Sequence, residues 1–287
     1  VKVLLVGDTH GDAKFISSIN RLAKTHGAQY VIQLGDFGYD FSPSVLTSIR
    51  AWLDADERRR WLWLDGNHDQ HDYIRSEIRK GKHPKKPVKH FHDRMFYCPR
   101  GSTLKIGQKN VLFLGGAVSV DKSRRQQGVN WWPQENLSTA DVHRAIDNGQ
   151  RADVLLSHDA PANPALRGWL RDQKYKIDKA SEQNRKAVLA VVDNTPVCAR
   201  CITGTTTTIT RPKCAMSGLP DWGRTTPVGC ITPRRCWART VCWSTGNDPI
   251  TQKRGGGRSL PLFPSADGRG CPYSEWGGDA HSSPHGA

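Results

Sequence analysis

A chain of 287 residues with 42 Lys and Arg against 27 Asp and Glu carries a net charge of +15. That length suits one large domain or two small ones with a sizeable core, and the charge predicts attraction to polyanions without speaking to the fold. No apolar run approaches the ~20 residues that a membrane-spanning helix needs, and no basic-then-apolar leader precedes the first strand, so the expected location is cytoplasmic.

In chain order, the apolar run Val3-Leu-Leu-Val6 has strand length and stops on Gly7-Asp8-Thr9-His10. Residues 13–25 read as an amphipathic helix with Phe15, Ile19, Leu22 and Ala23 on one face, and Gly27 as its stop. A second strand over 29–34 ends in Gly35-Asp36. A helix over 43–56 follows, with Ser42 as candidate N-cap. A third strand over 60–64 runs into Asp65-Gly66-Asn67-His68-Asp69. The order β-α-β-α-β with short connections predicts a parallel α/β core.

Residues 79–92 form a basic, Pro-broken stretch, read as a solvated connection; a lid over an anionic substrate is the sharper alternative. A strand over 111–114 leaves through Gly115-Gly116-Ala117. The segment 121–132 then carries Arg124, Arg125, Trp131 and Trp132, the Trp pair being expected in the core. A helix over 138–148, a strand over 153–157 that ends at His158, and a helix over 181–192 complete the regular pattern.

A lone Asp or His is usually structural, and Asp after Gly is common turn chemistry. Here three apolar strands in succession end in Gly-Asp-x-His, Gly-Asp and Gly-Asn-His-Asp. Strand C-termini are where open α/β folds keep their sites. Hard oxygen ligands and imidazoles repeated at that rim point to a site for more than one metal ion.

On Asp8-x-His10, Gly35-Asp36 and Gly66-Asn67-His68-Asp69, with Ser157-His158-Asp159-Ala-Pro161 downstream, the chain resembles the calcineurin-like metallophosphoesterases. The resemblance implies a layered α/β/β/α sandwich over residues 1–196 and hydrolysis of a phosphomonoester or phosphodiester. Two divalent ions ~3.5–4 Å apart would generate a hydroxide and clamp the phosphoryl oxygens. By the same resemblance Asp8 and His10 bind one ion, Asp36 bridges, and Asn67 and His158 bind the other. His68 stands beside the metals as proton donor or transition-state stabiliser, with Asp69 orienting it. Arg124 and Arg125 would reach the phosphate. Mixed nitrogen and oxygen ligands suit Mn, Fe, Ni or Zn. The partner implied is a phosphate ester, with no membrane; the oligomeric state is open.

The family's last motif, Gly-His-x-His, is missing. Where it belongs the chain reads Gly204-Thr205-Thr-Thr207, and threonine hydroxyls are poor replacements for imidazole. Threonine codons read one base earlier encode His, Tyr, Asn or Asp, so a one-base slip between about Asn194 and Cys201 would account for the loss. From Val197 on, the chain is rich in Arg, Gly, Pro, Thr, Cys and Trp and shows no sustained period. Residues 197–287 are therefore expected to be a low-order tail, with impaired activity as the consequence. Two alternatives stand beside this: a catalytically dead relic, and a basic nucleic-acid-binding protein. Cys198-x-x-Cys201 lacks the regularly spaced second pair that a zinc module needs.

Overall fold

The computed structural model describes residues 1–38, 42–172, 178–196, 201–203, 226–228 and 240–244. Gly204, Thr205, Thr207 and Cys198 lie outside them, as do most residues expected to form the tail. The strands are β1 (Lys2–Val6), β2 (Tyr30–Leu34), β3 (Arg60–Leu64), β4 (Val88–His90), β5 (His92–Tyr97), β6 (Thr103–Ile106), β7 (Lys109–Leu114), β8 (Val154–Ser157), β9 (Cys201–Thr203), β10 (Thr226–Val228) and β11 (Thr240–Ser244). The helices are α1 (Ala13–Thr25), α2 (Pro43–Asp54), α3 (His71–Tyr73), α4 (Thr139–Asn148), α5 (Pro164–Asp172) and α6 (Lys179–Asp193).

Two sheets stack face to face. The first has the order β10-β11-β1-β2-β3-β5-β4 and the second β6-β7-β8-β9. Parallel pairing joins β1 to β2, β2 to β3 and β3 to β5 in the first, and β7 to β8 and β8 to β9 in the second. Strand alternation decides what each face touches. Val3, Leu5, Ile32, Leu34, Leu62 and Leu64 point inward and meet Ile106, Val111, Phe113, Val154 and Leu156 of the second sheet. Leu4, Val6, Val31, Trp61 and Trp63 point outward, under Phe15, Ile16 and Ile19 of α1 and Val45 and Ile49 of α2. On the far side Leu112, Leu114 and Leu155 pack beneath Ala145 of α4 and Val188, Val191 and Val192 of α6. Three apolar clusters between four layers make this the α/β/β/α sandwich.

Local signals account for most boundaries. Asp12 caps α1 through bonds to the N–H groups of Lys14 and Phe15, and Gly27 stops it at φ +63°. Ser138 opens α4 in a reciprocal capping box with Asp141. Ser42 stands at the N-cap of α2, but its hydroxyl turns to Ser44 instead of the backbone. The basic stretch 79–92 differs from its reading as a connection: its last part is β4, an edge strand antiparallel to β5. Three residues with a register shift are too short to show alternation.

Candidate metal centre

The rim forms because strand exits are laced to one another. The N–H groups of Asp8, His10 and Gly11 donate to the carbonyls of Gly35, Asp36 and Phe37, so the β1 and β2 exits run together. Asp8, His10 and Asp36 sit at φ +50°, +45° and +55°, a left-handed conformation uncommon for any residue with a Cβ. Three such residues on two adjoining strand exits mark stored strain, which functional sites hold and cores do not. Close approach is the other device. A Cβ on Gly66 would lie 2.1 Å from Oδ1 of Asp36, and one on Gly35 would lie 2.4 Å from Nδ1 of His158.

Asp36 is the centre of the arrangement. Its carboxylate belongs to two groups whose ligand atoms lie within 4.8 Å of one another: His10, Asp36 and His68 in one, Asp8, Asp36 and His158 in the other. Nε2 of His10 is 3.8 Å and Nε2 of His68 4.0 Å from Oδ2, whereas Nε2 of His158 is 3.5 Å from Oδ1. The rings of His10 and His68 meet edge to face, centroids 5.0 Å apart. His158 is fully buried and donates from Nδ1 to the Leu34 carbonyl at 2.7 Å. That bond sets the tautomer and leaves Nε2 as the ligand atom. It faces Oδ1 of Asn67 at 3.2 Å.

Electrostatics tests whether these residues suit cations. Burial, with Asp36 and Asp69 adding repulsion, lifts Asp8 to about 7 against the attraction of His158. Burial and Asp36 lift Asp69 to about 7 as well. His158 is driven down by burial, but Asp36 and Asp8 outweigh that and hold it at about 8. Asp36 is itself held below the usual range because His158, His68 and His10 together outweigh its burial. Excess negative charge packed around a shared carboxylate, with lone pairs converging on it, is what divalent ions relieve. The residues fit.

The structure brings together Asp8, His10, Asp36, Asn67, His68 and His158. It separates two others. The carboxylate of Asp69 is not on the His68 ring. It accepts from the N–H groups of Asp36 (3.0 Å), Gly66 (2.7 Å) and Gly38 (3.1 Å). A buried carboxylate surrounded by three loop N–H groups is held by them, so Asp69 ties the β2 and β3 exits together. The neighbour of His68 is Arg125, whose Nη2 lies 2.7 Å from Nε2 and 2.9 Å from Nδ1. Arg125 is held in turn by Asp121 and the Asn130 carbonyl. Burial, together with Arg125 and His10, depresses His68 below the usual imidazole range against the pull of Asp36. Arg124, one residue earlier, is exposed. Trp132 is buried and donates from Nε1 to Asp72, whereas Trp131 is only half-buried.

Two supporting sets were not legible from spacing. Ser119 accepts from Nδ2 of Asn67 at 3.1 Å and is gripped by Glu135, which takes both its N–H and its hydroxyl at 2.6 Å. That chain turns the Asn67 oxygen toward His158. Behind Gly66, Asp65 accepts from Arg100 (2.6 and 2.8 Å) and from Tyr97 (2.8 Å), and His71 bonds the Gly66 carbonyl at 3.0 Å. Tyr97, Arg100 and Ser119 lie 32 to 52 residues from the groups they hold, and no local pattern announces them.

Two stacked sheets with candidate ligands gathered on one rim are the setting in which comparison with known proteins identifies a family. The chain belongs to the calcineurin-like phosphoesterases, whose family model matches residues 1–182. It is thus a metal-dependent hydrolase of phosphate ester bonds. Among solved structures it is similar to the protein TT1561 of Thermus thermophilus, at 15% identity over 70% of this chain and 80% of that one, TM-score 0.45. It is also similar to a dimetal phosphatase from Danio rerio, at 15% identity over 70% and 80%, TM-score 0.42. An archaeal phosphodiesterase shares 14% identity over 57% of this chain and 75% of its own, TM-score 0.32. No curated protein matches the chain. Among the described residues no helix is long and apolar enough to cross a membrane.

Proposed function

We propose that the chain hydrolyses a phosphomonoester or phosphodiester at a dinuclear metal centre whose two ions Asp36 would help to hold. The observation that carries this reading is the membership of Asp36 in both ligand groups. The family resemblance assigns Asp8 and His10 to one ion and Asn67 and His158 to the other, whereas the geometry around Asp36 sets Asp8 with His158 and His10 with His68. Divalent ions at such a site, Mn, Fe, Ni or Zn by the donor set, would supply a nucleophilic hydroxide and neutralise phosphoryl charge. His68 stands at the open side of the cluster with a depressed pKa. Arg125 fixes its ring and adds a positive charge where a phosphate oxygen would develop charge. Ser119 and Glu135 hold the Asn67 amide, and Asp69 holds the loops.

We further propose that turnover by this chain is impaired, through loss of the two imidazoles of the last family motif. The support is positional. β9 runs parallel to β8 with Thr203 opposite Ser157, the residue before His158. Gly204 follows Thr203 directly, and Thr205 and Thr207 come next. The division proposed with it is a phosphoesterase domain of residues 1–196 followed by a low-order tail of residues 197–287, of which only the short stretches β9, β10 and β11 pair with the sheets among the described residues. The nucleotide sequence of codons 193 to 210 tests the slip itself.

The activity test uses purified full-length protein, with metal content by elemental analysis and hydrolysis of p-nitrophenyl phosphate and bis-p-nitrophenyl phosphate. Asp36→Asn is expected to release metal and abolish turnover of both esters. Thr205→His with Thr207→His is expected to raise metal content and rate together. Hydrolysis that survives Asp36→Asn would rule out this centre. Folded protein that binds at most one metal ion and turns over neither ester would favour the catalytically dead relic.

A further inference from the structure

A cavity of about 440 Å³ contains none of the metal-ligand candidates. It opens between the turn Ile74–Ile78 that continues α3, His83, and the first turn of α4. Its volume falls within the range of small-molecule sites, about 300–1,000 Å³.

The lining holds four arginines and two carboxylates. Two of the arginines are matched. Arg100 is bonded to Asp65 and Asp141, and Arg144 is bonded to Asp141. The other two, Arg75 and Arg79, have no carboxylate partner among the described residues. Nε of Arg79 is buried without a hydrogen-bond acceptor, while its Nη1 lies 3.3 Å from Nδ1 of His83. An orphaned buried guanidinium N–H is uncommon and asks for an acceptor.

The backbone explains how two arginines come to share one mouth. The turn Ile74–Ile78 is a π-helical turn, closed by the Arg79 N–H on the Ile74 carbonyl at 2.9 Å. Such turns recur at functional sites. Its exit through Lys80 at φ +50° is the left-handed conformation that an L-residue adopts only when its surroundings enforce it. Residues four apart on a helix fall on one face, so Arg75 and Arg79 line the same wall. Convergence of the charges is visible at His83. Its imidazole is held below the usual range by partial burial and then by Arg79, Arg144 and Arg75.

We propose that this cavity is an anion site separate from the metal centre, in which Arg75 and Arg79 hold a phosphate dianion, either free or as the head of a phosphomonoester. Two unmatched guanidiniums equal the charge of one dianion. Their forked donors suit tetrahedral oxygens better than a point charge would. Ile74, Pro133 and Leu137 supply apolar wall beside the arginines, room for an organic group that bare phosphate would leave empty. The site stands whether or not the metal centre turns over.

The test is calorimetric titration of the full-length protein with inorganic phosphate and with phenylphosphonate, a phosphomonoester mimic that is not hydrolysed. It is done in the Asp36→Asn background, so that binding at the metals does not contribute. Arg75→Gln with Arg79→Gln is expected to weaken both ligands at least tenfold. Arg75→Gln alone, at an exposed position, is expected to weaken them about threefold with unchanged circular dichroism. Tighter phenylphosphonate than phosphate assigns the cavity to a phosphomonoester, and equal affinity assigns it to free phosphate. Affinities that the arginine changes leave unaltered, or binding that chloride abolishes equally at matched ionic strength, would overturn the proposal.

Discussion

Arg100→Met is the sharpest test of how the metal loop is held. Arg100 is buried and donates to both Asp65 and Asp141, and also to the carbonyls of Asn136, Gln134 and Glu135 at 2.7, 2.9 and 3.0 Å. Burial alone would raise Asp65. Arg100, followed by His71, brings it below the usual carboxylate range instead. Methionine matches the length of the stem and removes the charge, leaving Asp65 buried at 1% exposure with only Tyr97 donating to it. Breaking a buried pair by removing one partner costs about 3–5 kcal/mol, roughly a fifth or more of a typical domain's ~5–15 kcal/mol. The assay is urea unfolding followed by tryptophan fluorescence, since Trp61 and Trp63 lie in the core beside this loop. Asp65→Leu in the same chain removes the stranded charge. The double variant is therefore expected to regain roughly 2 kcal/mol of the loss, because replacing both partners of a buried pair is often near neutral. A loss below about 1 kcal/mol for Arg100→Met, or a double variant as unstable as the sum of the singles, would refute the argument that this pair holds the loop.

Gly66→Ala places a Cβ 2.1 Å from Oδ1 of Asp36; overpacking of this kind costs about 1–3 kcal/mol, and hydrolysis should fall more steeply than stability in the same preparation. Arg125→Ala removes a positive charge that depresses His68, so the limb of the pH–rate profile that reports His68 is expected to move to higher pH, with the rate falling by roughly 10²; an unmoved limb would separate Arg125 from His68. His71 is driven to about 4 chiefly by burial. The unfolded chain therefore takes up a proton below about 6.5 that the folded chain refuses, and stability should fall as pH drops from about 6.5 toward 4, by up to roughly 3 kcal/mol from this group. His71→Gln should flatten that slope in urea titrations at pH 7.5, 6 and 5. His90, buried and likewise held at about 4, steepens the slope in the same sense.

The strand exits were legible because their signal is local. An apolar run of strand length followed by Gly-Asp or Gly-Asn-His needs no partner to be recognised, and Asp8, His10, Asp36, Asn67, His68 and His158 meet in the fold. α1 was equally plain, since an apolar face of 3.6-residue period and its glycine stop lie within one stretch of chain. Distance defeated the rest. Ser119 reaches Asn67 across 52 residues and Arg100 reaches Asp65 across 35, and nothing in either neighbourhood marks the other end. Asp69 shows the limit most clearly. Motif position suggested a partner for His68, but once the β2 and β3 exits are brought together three backbone N–H groups surround its carboxylate. Arg124 and Arg125 are alike in sequence, and only the path of the loop turns one to solvent and the other onto the His68 ring. The chain itself determined which chemistry gathers at the rim, because residue type and strand length carry that information. Which groups support, orient and charge that chemistry was decided by tertiary packing, because those contacts exist only after two sheets and three exits have closed on one another.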